Sequence, residues 1–173
     1  LHDLGQLETA VQSYQKALEI DASYTEAYNN LGNVYQELKQ VDSAVQNYKR
    51  ALEIKPDYVA AQYSLGNTFM ELGQLEEAVK SYKAALKLKP DFVEAINNLG
   101  IAFYKLHQTD EAISCYKKAL AHNPNFADAH NNLGAAFLAL GQLNAAVKSY
   151  KSALKVKPDS VDAFNNLGTA FLD

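Results

Sequence analysis

The tetrapeptide NNLG stands at 29–32, 97–100, 131–134 and 165–168, and YSLG at 63–66 completes a uniform spacing of 34 residues. No other feature constrains the fold as strongly. A unit this short cannot bury an apolar face by itself, so each copy must borrow its core from its neighbours and the chain must form an array. Registering Gly32, Gly66, Gly100, Gly134 and Gly168 gives complete repeats at 25–58, 59–92, 93–126 and 127–160, with a partial repeat, mainly a second helix, at 1–24 and another partial repeat, a first helix, at 161–173. All 173 residues read as one array, and the missing initiator Met suggests a piece of a longer protein.

Each repeat reads as two helices. In the copy 93–126, Ala95, Leu99, Ala102, Phe103 and Leu106 recur at helical spacing, followed by Ala112, Ile113, Tyr116, Ala119 and Leu120. Between the two runs, Gly73 and Gly141 fall where the first helix needs a left-handed terminator, and Gly5 holds the same register. Lys39 and His107 occupy that place in the other copies, where a side chain predicts local strain. Pro56, Pro90, Pro124 and Pro158 predict the end of every second helix. Asp57, Asp91, Asn125 and Asp159 are the expected N-caps of the next first helices. Glu94, Asp128 and Asp162 follow three residues later, Ala60 fills that place once, and Ser23 precedes Glu26 in the same way, so capping boxes are expected.

These residues carry a resemblance. Leu65, Gly66, Phe69, Ala78, Tyr82 and Pro90, with their counterparts in the other copies, form a pattern that resembles the tetratricopeptide repeat, TPR, over the whole chain. The family's tryptophan position departs from it, holding Tyr28, Gln62, Ile96, His130 and Phe164, and looser packing is expected at Gln62 and His130. The resemblance implies an all-α fold: an α-solenoid of antiparallel helix pairs wound into a right-handed superhelix, with first helices lining the concave side. Glycine inside a helix costs about 1 kcal/mol relative to alanine, so the repeated glycines make sense where helices pack closely enough to recover it.

The paired asparagines are poor helix formers, by up to about 0.7 kcal/mol against alanine. If Leu99 and Phe103 face the core, the outward stripe of that helix is Glu94, Asn97, Asn98, Ile101, Tyr104 and Lys105. The inner row is then Asn30, Ser64, Asn98, Asn132 and Asn166. Beside it run Asn29, Tyr63, Asn97, Asn131 and Asn165. A carboxamide donates and accepts, which matches an extended peptide backbone, so both asparagine rows are candidate peptide-binding residues, with Ser64 a weaker rung. The bland alternative is that asparagine is a tolerated polar residue in drifted copies. The inner row is similar to the asparagine ladder of the superhelical arm of O-linked N-acetylglucosamine transferase, which implies main-chain binding. Asn33, Gln36 and Glu37 make the early end polar; Ile101, Tyr104, Ala135, Leu138 and Leu172 make the later part apolar, with Tyr104 and Leu138 offering contact to bulky ligand side chains. The cations with which some relatives clamp a terminal carboxylate are missing from the corresponding positions, so that ligand class is rejected.

Other function classes fare worse. A net charge of −4 offers no general attraction for nucleic acid. The row Lys49, Lys83, Lys117 and Lys151 reads as a solvated convex face. No apolar run approaches the roughly 20 residues that span a bilayer, and no leader is visible. Cys115 stands alone, which fits a reducing, cytoplasmic setting for a soluble chain. His2, His107, His122 and His130 lack metal-ligand spacing, and no nucleophile–base set or phosphate loop is found, so neither metal, cofactor nor catalysis is expected. The expected function is a protein-interaction scaffold that binds an extended peptide or partner segment. One alternative is the substrate-recruiting arm of a larger enzyme such as a glycosyltransferase. The other is a self-assembly module stacking end to end, because Leu7, Val11, Tyr14 and Leu18 at one end, and Phe164, Leu167, Phe171 and Leu172 at the other, lack a covering helix.

Overall fold

A computed structural model describes residues 2–172, with side chains from Gly5 to Leu172. The described residues form ten α-helices and no strand. They divide into two compact units, Leu1–Pro90 and Asp91–Asp173. The first unit holds α1 (His2–Ile20), α2 (Thr25–Glu37), α3 (Val41–Ile54), α4 (Val59–Glu71) and α5 (Leu75–Leu88). The second holds α6 (Val93–Lys105), α7 (Thr109–His122), α8 (Ala127–Ala139), α9 (Leu143–Val156) and α10 (Val161–Thr169). Within each unit consecutive helices pack on one another, and first helices also touch the next first helix, α2 on α4, α6 on α8 and α8 on α10. Each unit is thus a stack of helix hairpins, the α-solenoid arrangement.

The repeated glycines are there for one contact. A Cβ built on Gly32, Gly66, Gly100 or Gly134 would lie only 2.5–2.7 Å from Cε1 of Tyr48, Tyr82, Tyr116 or Tyr150, respectively. Those four tyrosines are the largest fully buried side chains. Each second helix therefore lays a ring directly on the backbone of its own first helix, and any side chain at the glycine would hold the pair apart. Around Tyr116 the core continues through Ala112, Ile113, Leu133 and Ala136, joining α7 to α8. Alanines at the helix crossings, such as Ala95, Ala102, Ala112 and Ala119, are completely buried.

The turns inside the hairpins follow the sequence closely. Gly73 and Gly141 adopt φ of +71° and +69°, and Lys39 and His107 are forced to φ 60° at the same place. Gly5 differs, because α1 runs through it without a turn. The N-caps also differ. The capping residues are Tyr24, Tyr58, Phe92 and Phe126, and none accepts a side-chain hydrogen bond; only Ser160 does, from the Ala163 N–H. The acidic capping boxes expected at these starts do not form. Tyr58, Phe92 and Phe126 are half-buried. Half-covering such a ring contributes about 1–1.5 kcal/mol, enough to match the roughly 1 kcal/mol of a cap, so ring packing competes with capping over where the helix starts. Two of the linker residues find another use: Asp21 Oδ1 accepts from the Ser23 N–H, and Asn123 Oδ1 from the Asn125 N–H, as turn-forming bonds.

Candidate functional site

The asparagine rows lie on the first helices, and neighbouring residues of a row member differ in fate because adjacent positions are turned by about 100° on a helix. Asn97 is 4% exposed and Asn29 5% exposed, so both are sealed against the next first helix rather than open to a ligand. Asn30, Ser64, Asn98, Asn131, Asn132 and Asn166 are half-buried, and Asn165 is exposed.

In the second unit the two rows interlock. Asn132 Nδ2 donates to Asn97 Oδ1 at 3.1 Å, and Asn166 Nδ2 donates to Asn131 Oδ1 at 3.0 Å. Asn97 Nδ2 in turn approaches Asn98 Oδ1 at 3.4 Å. Asn132 and Asn166 thus tie their repeats to the outer asparagine of the repeat before, 35 residues back. These bonds fix the direction of the Asn132 and Asn166 amides: with an N–H committed to the neighbour, the carbonyl oxygen of each is turned the other way, as an acceptor. Tyr104 and Leu138 are half-buried on the same helices, as are Ile101 and Ala135, while Leu172 is 89% exposed.

The first unit breaks the pattern. The position that should donate to Asn29 is Ser64, and Asn29 Oδ1 is a buried acceptor with no hydrogen-bond partner. Tyr63, in place of an outer asparagine, turns its ring toward Tyr82, 6.1 Å between centroids. One turn along α2, the Tyr48 hydroxyl reaches Asn33 Oδ1 at 2.7 Å and Gln36 Oε1 at 3.1 Å, while the Tyr82 hydroxyl donates to Asn67 Oδ1 at 2.8 Å. Burial pushes the Tyr48 phenol up to about 12, against a lowering hydrogen bond from Ser64. Gln36 Nε2 and Lys39 Nζ both reach Glu71, at 3.3 and 3.4 Å. Between α2 and α4 these groups line a polar recess of about 480 Å³.

Glu26, Glu94, Asp128 and Asp162 are exposed in the first turns of their helices, where negative charge favours the N-terminal dipole. His130 Nε2 lies 2.9 Å from the Pro124 carbonyl. At this departure from the tryptophan position a cavity of about 340 Å³ opens over Leu120, Leu133 and Phe137, the looser packing expected there. The His2 side chain lies outside the described residues. Lys49, Lys83, Lys117 and Lys151 are exposed on second helices, with Lys117 Nζ 5.5 Å from the centroid of the Phe137 ring. Among the described residues no group of three or more His, Cys, Asp and Glu could hold a metal ion, and no helix is long and apolar enough to cross a membrane. Sequence reasoning missed the 35-residue amide bonds and the orphaned Asn29. The unequal pairs NN and YS mark where the rows break, but not which amides meet.

Hairpins of this length, stacked through tyrosine on glycine, match known proteins. Family models described as TPR repeat match residues 1–39, 66–107, 102–141 and 134–173, and models described as tetratricopeptide repeat match 25–58 and 47–80. The chain belongs to the tetratricopeptide repeat family, whose members are in general non-catalytic protein-interaction scaffolds. The crystal structure of MamA is 25% identical, covers 91% of this chain and 92% of its own, and superimposes with a TM-score of 0.85. YrrB, described as a TPR protein with an unusual peptide-binding site, is 28% identical over 95% of this chain and 85% of its own, with a TM-score of 0.81. A thermophilic TPR protein of Thermus thermophilus, 24% identical over 100% of this chain and 94% of its own, shares the fold with a TM-score of 0.75. A search of the curated proteins found no match.

Proposed function

We propose that this chain is a scaffold whose first-helix face binds an extended peptide segment of a partner protein. In the second unit Asn98, Asn132 and Asn166 take the peptide main chain, Asn131 and Asn165 assist, and Tyr104 and Leu138 receive apolar side chains. In the first unit Asn30 and Ser64 stand at the equivalent places. Asn29 and Asn97 act from behind: Asn97 aims its neighbour's amide and does not touch ligand. The observation that carries the reading is the pair of half-buried inner carboxamides, Asn132 and Asn166, each with an N–H tied back to the preceding repeat, since preset acceptors lower the ordering cost of binding. The unusual peptide-binding site for which YrrB is described supports it. Each such bond contributes about 0.5–1.5 kcal/mol.

The test is a peptide-array comparison of wild type with Asn98→Ala, which spares both long-range amide bonds, and with Asn98→Ala/Asn132→Ala. Binding weakens in the first and is lost in the second while helical circular dichroism persists. Equal binding by all three proteins rejects the asparagine reading. A recruiting role for a larger enzyme uses the same face, and the full-length sequence distinguishes it. Lone Cys115 supports a reducing, cytoplasmic setting.

A second reading, end-to-end association, has its own observation. Nothing lies within 4 Å of a Cβ on Gly168, whereas a tyrosine ring covers the four equivalent glycines. Phe164 and Phe171 beside it are 56% and 66% exposed. Tyr14 on α1 holds the repeat position of those tyrosines, so a second copy carries a ring of the kind that covers the other glycines. Light scattering that stays monomeric at high concentration removes this reading.

A further inference from the structure

The gap at His130 coincides with a change of charge on the helix beside it. Among the second helices α3, α5, α7 and α9, α9 alone has no acidic residue, while it carries Lys148, Lys151 and Lys155. The repeat register shows what α9 lacks. In α5 Lys80 Nζ meets Glu77 Oε1 at 2.6 Å, and in α3 Arg50 Nη1 meets Glu53 Oε2 at 2.7 Å. Two periods after the first pair stand Lys148 and Ala145, and three periods after the second stand Ser152 and Lys155. Both helix ion pairs are therefore undone in α9, and none of its three lysines meets a carboxylate among the described residues.

The same replacements leave space. Ala145 and Ser152, with Leu120, His130, Leu133 and Phe137, wall the cavity of about 340 Å³ between α7, α8 and α9, and the exposed Lys148 also lines it. In the preceding copy Ile96 holds the place of His130 and is 1% exposed, and Glu111 holds the place of Ala145. His130 instead puts Nε2 2.9 Å from the Pro124 carbonyl, and together with Ser152 it borders a further hollow of about 520 Å³ that Lys155 lines. No acidic residue lines either space among the described residues. An apolar floor beside cations that lack counter-charge is complementary to an apolar group flanked by anions. The smaller volume lies near the low end of ligand cavities, roughly 300 Å³, which suits a single ring, and the half-buried Phe137 offers that ring an offset or edge-on contact.

We propose that this cavity is a docking site for an acidic partner segment, which inserts one aromatic side chain over Leu133 and Phe137 and sets carboxylates against Lys148 and Lys155. None of the row asparagines lines it, so it is distinct from the peptide-binding face proposed above. The segment supplies from outside the negative charges that α3 and α5 carry within themselves.

A randomised peptide display library panned on wild type, Lys148→Gln and Ala145→Glu tests it, with enriched peptides then measured singly by fluorescence anisotropy. Ala145→Glu gives Lys148 an internal partner and narrows the cavity mouth; Glu77 and Glu111 stand at that place in α5 and α7, so a second helix accepts it. Wild type enriches peptides with an aromatic residue flanked by Asp or Glu, and replacing that residue by alanine weakens binding on the order of tenfold or more. Lys148→Gln weakens it up to about fivefold and makes it less sensitive to salt. Ala145→Glu loses these peptides while helical circular dichroism persists. In amide NMR titrations of wild type the peptide moves the signals of Ala145, Lys148 and Ser152 and leaves that of Asn98 in place. No enrichment of acidic aromatic peptides, wild-type affinity in Ala145→Glu, or shifts confined to the asparagine rows overturns the proposal.

Discussion

Replacing the same repeat glycine by alanine at two places should have opposite signs. At Gly134 the new Cβ meets Tyr150 Cε1 at 2.5 Å and Cδ1 at 2.7 Å, while at Gly168 it meets nothing within 4 Å. Ordinary contact begins near 3.4 Å, so the Tyr150 ring must retreat by nearly 1 Å. It is 1% exposed, with Ala146 and Ala170 in the same cluster, so it has little room to do so. Overpacking of this kind costs about 1–3 kcal/mol, partly offset by about 1 kcal/mol from the better helix former. The balance is a net loss of up to about 2 kcal/mol, which lowers the melting temperature by up to roughly 4–8 °C for a chain of this size. Gly168→Ala keeps the propensity gain without the clash and raises it by roughly 1–3 °C. Thermal unfolding followed by circular dichroism reads both. A stabilised Gly134→Ala, or equal shifts in the two variants, refutes the claim that ring-on-backbone contact dictates these glycines.

Alkaline unfolding follows from the buried phenols. Burial raises Tyr48 to about 12 and also raises Tyr116 and Tyr150, so each binds its proton more tightly folded than unfolded. Stability is then full below the ordinary tyrosine value near 10 and is lost as pH climbs toward the folded value, by up to about 1.4 kcal/mol per pH unit for Tyr48. A urea midpoint that stays level between pH ~8 and ~11 contradicts this. His107→Gly relieves the left-handed backbone at φ 60° and should stabilise by about 0.5–1 kcal/mol, readable as a higher urea midpoint. Asn132→Ala leaves the sealed Asn97 oxygen without its donor and should cost about 1–3 kcal/mol despite alanine's propensity. Asn98→Ala should cost less, and an Asn132→Ala variant as stable as wild type would mean that the amide bond contributes nothing.

That last expectation reverses what the sequence suggests. From helix propensity alone, removing asparagines should leave stability unchanged or improved, because nothing in the chain announces that Asn132 and Asn97 meet. Local information was otherwise strong. The hairpin boundaries, the left-handed residues at Lys39, Gly73, His107 and Gly141, and the core of the copy 93–126 were legible, since each depends on residues within one repeat. The aromatic N-caps were not, because a capping preference of about 1 kcal/mol is decided by what the ring touches on another helix.

Sequence by itself therefore determined the repeat and the helix pairs, set by spacings within the 34-residue period. Tertiary structure decided which member of each asparagine pair is sealed and which is presented, and left Asn29 without a donor. The reason is geometric: neighbours on a helix point about 100° apart, and only the position of the next repeat fixes which of those directions is inside.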